Sequence, residues 1–359
     1  MTTKVLHVYP CLNCGGTEMV FYNLIKFGDR EHFKYEIAVQ THGDNEEPFR
    51  KLDVPIHLVP YDGPDRYVKL LAEFLRKGKY DVVHAHMHPE LHLVLKAACV
   101  AGVRCRVAHS HNARVDIPQF IWPALYPIHH KYERWATQLF GCSSLALKWL
   151  FPGKYRRGHV INNGIDLDKF RFNPQTRERM RKSHNISPRT KVFINIGRCT
   201  DQKNQKFILR LASERKDKDE LYVIIGEGPL YDNLASEKEA LGLDKLLLAR
   251  KRHDVADWLC AADVFLFPSI YEGLGIVAIE AESSGLNVIA SDTIPPEADM
   301  QLGNFNTVAL SDTDLWHRLM DEERPSESAR EEISRQAFTS DYNIRTVTKK
   351  VESLYKKSQ

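Results

Sequence analysis

Two carboxylates frame the stretch YEGLGIVAIEAESSGL (271–286): Glu272 and Glu280 stand eight positions apart, with Gly273, Gly275 and an otherwise apolar run between them. Carboxylates are acceptors that grip vicinal hydroxyls in paired hydrogen bonds. Gly273 and Gly275 let the backbone approach a ligand closely. A helix is predicted to begin near Leu274–Gly275 and to run on through Ile276. Its free N–H groups and dipole would favour an anion such as a phosphate. Glu280 would lie inside that helix, roughly 9 Å further along it. This is long for a retaining glycosidase pair, which needs ~5–5.5 Å, while an inverting spacing stays open. It suits one elongated ligand with hydroxyls at both ends and a diphosphate between, the shape of a nucleotide sugar. A buried, salt-bridged Glu280 fits the spacing equally well.

Other stretches carry titratable groups. AHSHN (108–112) and HAHMH (84–88) place histidines at alternate positions near predicted strand ends. Residues two apart on a strand share a face, so His109 and His111 could both face a ligand. His84, His86 and His88 could converge on zinc, but no partner carboxylate is evident. Cys11 and Cys14 form a lone CxxC without a second Cys/His pair. The triplets DLD (166–168) and DTD (312–314) fall in a polar segment and at a probable helix start, so a metal–diphosphate role for them is discounted.

The elements that must position these groups follow a simple alternation. Short β-branched runs at 4–9, 35–40, 56–60, 81–86, 105–111, 138–143 and 159–164 read as strands, with amphipathic segments such as RYVKLLAEFLRKGK (66–79) between most of them. Strands separated by helices mean βαβ units and a parallel sheet. The segment 167–190 is polar and holds Pro174 and Pro188; it reads as a linker with one short helix. The alternation restarts with runs at 191–197, 220–226, 245–249, 263–269 and 286–291. The expected fold is α/β, two Rossmann-like doubly wound sheets: residues 1–166, then 191–339, with ligand sites at the carboxyl ends of the strands and a cleft between the domains. The stretch from about 324 reads as surface helices, and a helix over about 340–359 is expected to pack back on the first domain.

The totals agree with a soluble globular protein. The chain has 359 residues, 43% hydrophobic and 27% charged, enough for two domains. No apolar run approaches a membrane span and no signal-peptide core is evident, so a cytoplasmic location is expected. Seven cysteines, an odd number, argue against a disulfide framework. The net charge of +3 is uneven: residues 1–166 hold 21 Lys+Arg against 16 Asp+Glu, and 13 of the 16 histidines. That half suits an anionic neighbour, but the excess is too small to argue for nucleic acid. PQFIWPALYPIHHKYERWATQLF (118–140) and KWLFPGKYRR (148–157) mix aromatic and basic residues. They fit a peripheral contact with an anionic membrane, or a core-packing helix with a solvated basic face.

The stretch EGLGIVAIE resembles the E-x7-E motif of retaining glycosyltransferases of the GT-B fold, close to family GT4. GGTE (15–18), NGID (163–166), GRCTDQKNQ (197–205), GEGP (226–229) and RKRHDV (250–255) fall in the order that family shows. AHSHN and SDTIPPEAD (291–299) have parallels in the bacterial exopolysaccharide and capsule branch. The resemblance implies a nucleotide-sugar donor, most simply a UDP-sugar, a lipid-linked or saccharide acceptor, and neither metal nor cofactor. It implies that Glu272 faces the donor sugar and Glu280 the ribose. Arg198 and Lys203 would hold the diphosphate, and Gly15 and Gly16 could approach it from the other domain. His111, with His109 as the fallback, would position the donor's reacting end. The backbone near Lys251 and Arg252 would hold the base, although this chain has Arg250 where the family often has glycine. Two alternatives stay open: a UDP-sugar 2-epimerase on the same fold, and a catalytically silent sugar-nucleotide-binding subunit.

Overall fold

The computed structural model describes residues 2–13, 16–86, 90–111 and 126–358, with the backbone alone for Gly16 and 126–129. It divides into two compact units, Met1–Ile165 with Asp341–Gln359, and Asp166–Ser340.

The first unit holds seven strands: β1 (Thr3–Tyr9), β2 (Phe33–Val39), β3 (Ile56–Leu58), β4 (Val82–Ala85), β5 (Cys105–Ser110), β6 (Gln138–Gly141) and β7 (His159–Val160). They form one sheet in the order β3-β2-β1-β4-β5-β6-β7, every pairing parallel. The order reverses between β1 and β4, the switch point at which open parallel sheets bind ligands. Val5, Leu6, Val82, Val83, Ala85, Val107 and Ala108 are buried on both sheet faces. That is why these strands read as near-continuous apolar runs.

The second unit repeats the plan with β8 (Lys191–Ile196), β9 (Glu220–Ile225), β10 (Leu246–Ala249), β11 (Val264–Phe267), β12 (Asn287–Ser291) and β13 (Phe305–Val308). Their order is β10-β9-β8-β11-β12-β13, again all parallel. The switch point lies between β8 and β11. The sequence reading missed β13, a four-residue strand on the sheet edge.

Two expectations are corrected. Residues 167–190 are not a linker: they belong to the second unit and carry the helices Leu167–Phe170 and Pro174–Ser183. Two of their arginines are hydrogen-bonded to the end of a neighbouring helix. Arg177 Nη1 donates to the carbonyls of Cys260, Ala261 and Ala262, and its Nη2 to Asp263 Oδ1 at 2.5 Å. Arg181 Nη1 donates to the Ala261 carbonyl at 2.9 Å. Buried Arg330 joins them, donating to the carbonyls of Leu259, Cys260, Ala262 and Ser284. Three guanidiniums thus satisfy the open carbonyls that every helix leaves at its C-terminus. The second correction concerns the surface character expected of the last helix, Ile344–Lys356, which belongs with the first unit as expected but has a buried face. Ile344, Val347, Val351, Leu354 and Tyr355 are buried, and Glu352 Oε1 accepts from Tyr35 Oη at 2.5 Å and from Asp29 N at 2.8 Å. It is a structural part of the first unit.

Candidate functional site

In the second unit the predicted residues gather at the switch point. The loop after β8 carries Arg198 and Lys203, and the loop after β11 carries Glu272–Gly275. The two loops are tied together: Ile270 N donates to the Gln202 carbonyl at 2.8 Å, Gln202 Nε2 to the Tyr271 carbonyl at 2.9 Å, and Asn204 Nδ2 to the Pro268 carbonyl at 3.1 Å. Lys203 Nζ donates to Glu272 Oε1 at 2.5 Å, with only 19% and 8% of the two side chains exposed. The Lys203 ammonium also lies 5.4 Å from the centre of the Phe267 ring. Arg198 is exposed, and its guanidinium has no hydrogen bond or ion pair among the described residues.

Glycine makes this close approach possible at two points. Gly275 has φ +90°, and a Cβ there would fall 2.9 Å from the Phe267 ring. A Cβ on Gly226 would meet the Gly197 carbonyl oxygen at 1.9 Å. The helix after Gly275, Ile276–Ser283, starts next to Glu272 in sequence and carries Glu280. Glu280 is half-buried, and no hydrogen bond or ion pair from the described residues reaches its carboxylate. Among the described residues nothing forms the salt bridge that the spacing left open for Glu280. Burial pushes its carboxyl up to about 7, and the charge of Lys169 pulls the other way. Gly273 and Ile276 are half-buried and Leu274 is buried.

The presumed base-side residues behave differently. Arg252 grips Asp254 with both Nε and Nη2, each at 2.7 Å, so its fork is occupied. Lys251 is exposed. Asp312 of the DTD triplet caps a helix, accepting from Leu315 N at 3.0 Å.

In the first unit Gly16 opens the helix Gly16–Lys26 just after β1; Gly15 lies outside the described residues. His111 stands at the end of β5, half-buried. It heads a cluster that alternation along three neighbouring strands places on one sheet face: His7 on β1, His84 and His86 on and after β4, His109 and His111 on and after β5. Ring centres of His109 and His111 lie 4.0 Å apart, those of His84 and His86 4.1 Å, and those of His86 and His111 5.1 Å. Burial pulls His7 and His111 down to about 3, and burial with mutual repulsion takes His84, His86 and His109 well below the usual imidazole range. These imidazoles are neutral at physiological pH. His88 and Asn112 lie outside the described residues.

The aromatic–basic stretches resolve in part. Tyr132, Trp149 and Phe151 are buried in the core, whereas Arg134, Lys148, Arg156 and Arg157 are exposed. Phe120 and Trp122 lie outside the described residues. Among the described residues no helix is long and apolar enough to cross a membrane.

Two contributions escaped the sequence reading. Lys169 sat in the supposed linker and had no signal. His7 was visible only as a strand histidine and His84 only as a possible zinc ligand with His86 and His88; the order β1-β4-β5 is what brings both to the face that carries His109.

The structure is thus two doubly wound parallel sheets, with a cation–carboxylate pair at the switch point of the second and, in the helix that follows, a glutamate that no other described residue partners. The family models "Glycosyltransferase Family 4" and "Glycosyl transferases group 1" match residues 14–169 and 176–321. EpsF of Bacillus subtilis is 30% identical over 325 residues, covering 86% of this chain and 84% of that one. The UDP-Gal:alpha-D-GlcNAc-diphosphoundecaprenol alpha-1,3-galactosyltransferase of Escherichia coli is 29% identical over 239 residues, 62% of this chain and 60% of its own. The crystal structure of Anabaena Alr3699/HepE in complex with UDP superposes with a TM-score of 0.84 at 16% identity, covering 99% of this chain and 100% of that one. The chain belongs to the GT4 glycosyltransferases, with the GT-B fold of two Rossmann-like units. These relatives give the 2-epimerase alternative no support.

Proposed function

We propose that this glycosyltransferase moves a hexosyl or N-acetylhexosaminyl group from a UDP-sugar to a lipid-linked or glycan acceptor, with retention, in exopolysaccharide or capsule assembly. The observation that carries this reading is the Lys203–Glu272 pair at the β8/β11 switch point, with Glu280 unpartnered in the helix that follows. In the free protein the lysine and glutamate neutralise each other. A diphosphate offers Lys203 a stronger partner and draws in unpaired Arg198. Glu272 is then released to accept hydrogen bonds from the donor sugar. Glu280, whose carboxyl is raised to about 7, is protonated in part at neutral pH, and in that form it can both donate to and accept from a pair of ribose hydroxyls. Lys251 and Arg252 border the base, the former through its backbone, and His111 keeps the role in orienting the sugar that the family resemblance implies.

In the transfer step the bond from the anomeric carbon to the diphosphate oxygen breaks as the acceptor oxygen attacks from the same side. The acceptor proton passes to the departing phosphate oxygen. Fixed cations aimed at that oxygen stabilise the charge it gains, so transfer takes no metal or organic cofactor on this reading. Two of the similar proteins support the choice of ligands: the Anabaena structure holds UDP, and the Escherichia coli enzyme is named for UDP-Gal and a diphosphoundecaprenol acceptor. Exposed Lys148 and Arg156, both over the Tyr155 ring, offer a basic patch to an anionic membrane that presents such an acceptor.

The test is UDP release from a panel of UDP-sugars with membranes or undecaprenyl-linked acceptors, comparing wild type with Glu272→Gln and Glu280→Gln. Release from one or two donors, abolished in Glu272→Gln and with weaker donor binding in Glu280→Gln, supports the proposal. UDP binding without release favours a silent subunit. Absence of UDP binding overturns the donor-site assignment.

A further inference from the structure

The histidine cluster of the first unit holds more imidazoles than positioning one sugar requires. His7 and His84 are fully buried, and His86 and His109 are only 5% and 2% exposed. Their contacts form two chains. In the first, His7 Nδ1 lies 2.8 Å from His86 Nε2, and His86 Nδ1 lies 2.9 Å from His111 Nε2. In the second, the Tyr355 hydroxyl lies 2.5 Å from His84 Nδ1, and His84 Nε2 lies 3.0 Å from His109 Nδ1.

A neutral imidazole has one N–H and one lone pair. Whichever way the protons run along the first chain, one of its end nitrogens must be a bare N–H and the other a bare lone pair. Those ends, His7 Nε2 and His111 Nδ1, are buried without a partner, and so is His109 Nε2 at the end of the second chain. Hydrogen bonding alone therefore leaves the cluster unsatisfied, and buried polar nitrogens are rarely left so.

We propose that His86, His109 and His111 form a tris-imidazole site for a divalent first-row transition metal such as Zn²⁺, oriented by His7, His84 and Tyr355. Each of the three offers a ring nitrogen within 4.8 Å of the other two. His109 has its unpartnered Nε2 to give. Between His86 and His111 an ion takes the place of the 2.9 Å contact. That spacing is a few tenths of an ångström under the edge of ~3.3 Å for a tetrahedron with bonds of ~2.05 Å. Two of the three nitrogens not used for the metal are already held, His86 Nε2 by His7 and His109 Nδ1 by His84, which Tyr355 holds in turn, while His111 Nδ1 stays unpartnered among the described residues. Such partners fix the tautomer and ring direction of ligating histidines. An all-imidazole set suits zinc, cobalt, nickel or copper and not magnesium or calcium. Half-buried His111 is the ligand nearest to solvent and marks the point of entry. If His111 also orients the donor sugar, a bound ion would hold it back from that task. This consequence rests on the proposed function; the binding does not.

The experiment strips the full chain with a chelator and titrates it with Co²⁺, following the visible absorption bands of low-coordinate cobalt, then displaces the cobalt with Zn²⁺. Variants are His111→Ala and, as a control at the exposed Asp29–Glu31–His32 group, His32→Ala. Far-UV circular dichroism checks folding. One equivalent bound by the wild type, weakened about tenfold or more in His111→Ala and unchanged in His32→Ala, is the expected result. X-ray absorption at the zinc edge of the loaded wild type should count three imidazoles, a readout that needs no variant. Failure of the wild type to bind either ion, binding undiminished in folded His111→Ala, loss confined to His32→Ala, or fewer than three imidazole ligands would each overturn the proposal.

Discussion

Replacing Lys203 by methionine removes the ammonium and leaves Glu272 facing the site without its partner. At a separation of 2.5 Å and an effective dielectric of about 20, the pair attracts by on the order of 6 kcal/mol. Withdrawing two largely buried charges from water returns several kcal/mol of that, leaving a coupling of about 2–3 kcal/mol. Lys203→Met should therefore cost about 3 kcal/mol, because the carboxylate it strands has only 8% of its side chain exposed. Glu272→Gln should cost less, since the lysine's longer stem can carry its charge towards solvent. The double variant should recover most of the loss. Urea unfolding at pH 7.5, followed by circular dichroism for wild type, both single variants and the double, gives the coupling as a double-mutant cycle. Saturating UDP should shrink it, since the diphosphate then competes for Lys203. Effects that add to within about 0.5 kcal/mol would refute the reasoning. They would mean that the two side chains do not share charge in solution.

Glu280→Gln gives a pH signature. The wild-type carboxyl stands at about 7 in the folded protein against an ordinary 4.5. The folded state therefore holds the proton more tightly, and Glu280 costs stability progressively as pH rises from about 4.5 to about 7. The variant should match the wild type near pH 4 and be more stable by about 2–3 kcal/mol at pH 8, read by chemical unfolding at both pH values. Gly226→Ala should cost more than about 2 kcal/mol and weaken UDP binding, because its Cβ would sit 1.9 Å from the Gly197 carbonyl oxygen; calorimetry reads both effects. Arg330→Met should lower stability by about 3 kcal/mol or more by orphaning buried carbonyls, whereas Arg335→Met, which loses an exposed pair with Glu332, should change it by under about 0.5 kcal/mol.

Much of this architecture was legible in the order of residues, for a physical reason. Strands buried on both faces are written as uninterrupted runs such as VFLF and NVIAS, and helices between them keep an apolar stripe. The tight loop after β11 was legible too, because glycines at 273 and 275 next to a strand end announce a close backbone approach, which Gly275 makes to the Phe267 ring. What escaped depended on the third dimension. Arg177 and Arg181 look like solvent charges until the end of the Val255–Ala261 helix stands before them. The strand Phe305–Val308 has only one buried side chain, Val308, and so little pattern to read. The histidines were countable, but their common face appears only when β1, β4 and β5 lie side by side.

The last helix gives the molecule an order of assembly. Residues 341–359 belong with 1–165, so the whole second unit is spliced into the covalent thread of the first. During synthesis the ribosome delivers Asp166–Ser340 complete before the first unit receives Glu352 to meet Tyr35 and Tyr355 to meet His84. The half made first is thus the half finished last. Until its final strap emerges, that sheet has an uncovered face and an incomplete histidine cluster, the stage at which a nascent chain has most need of a chaperone.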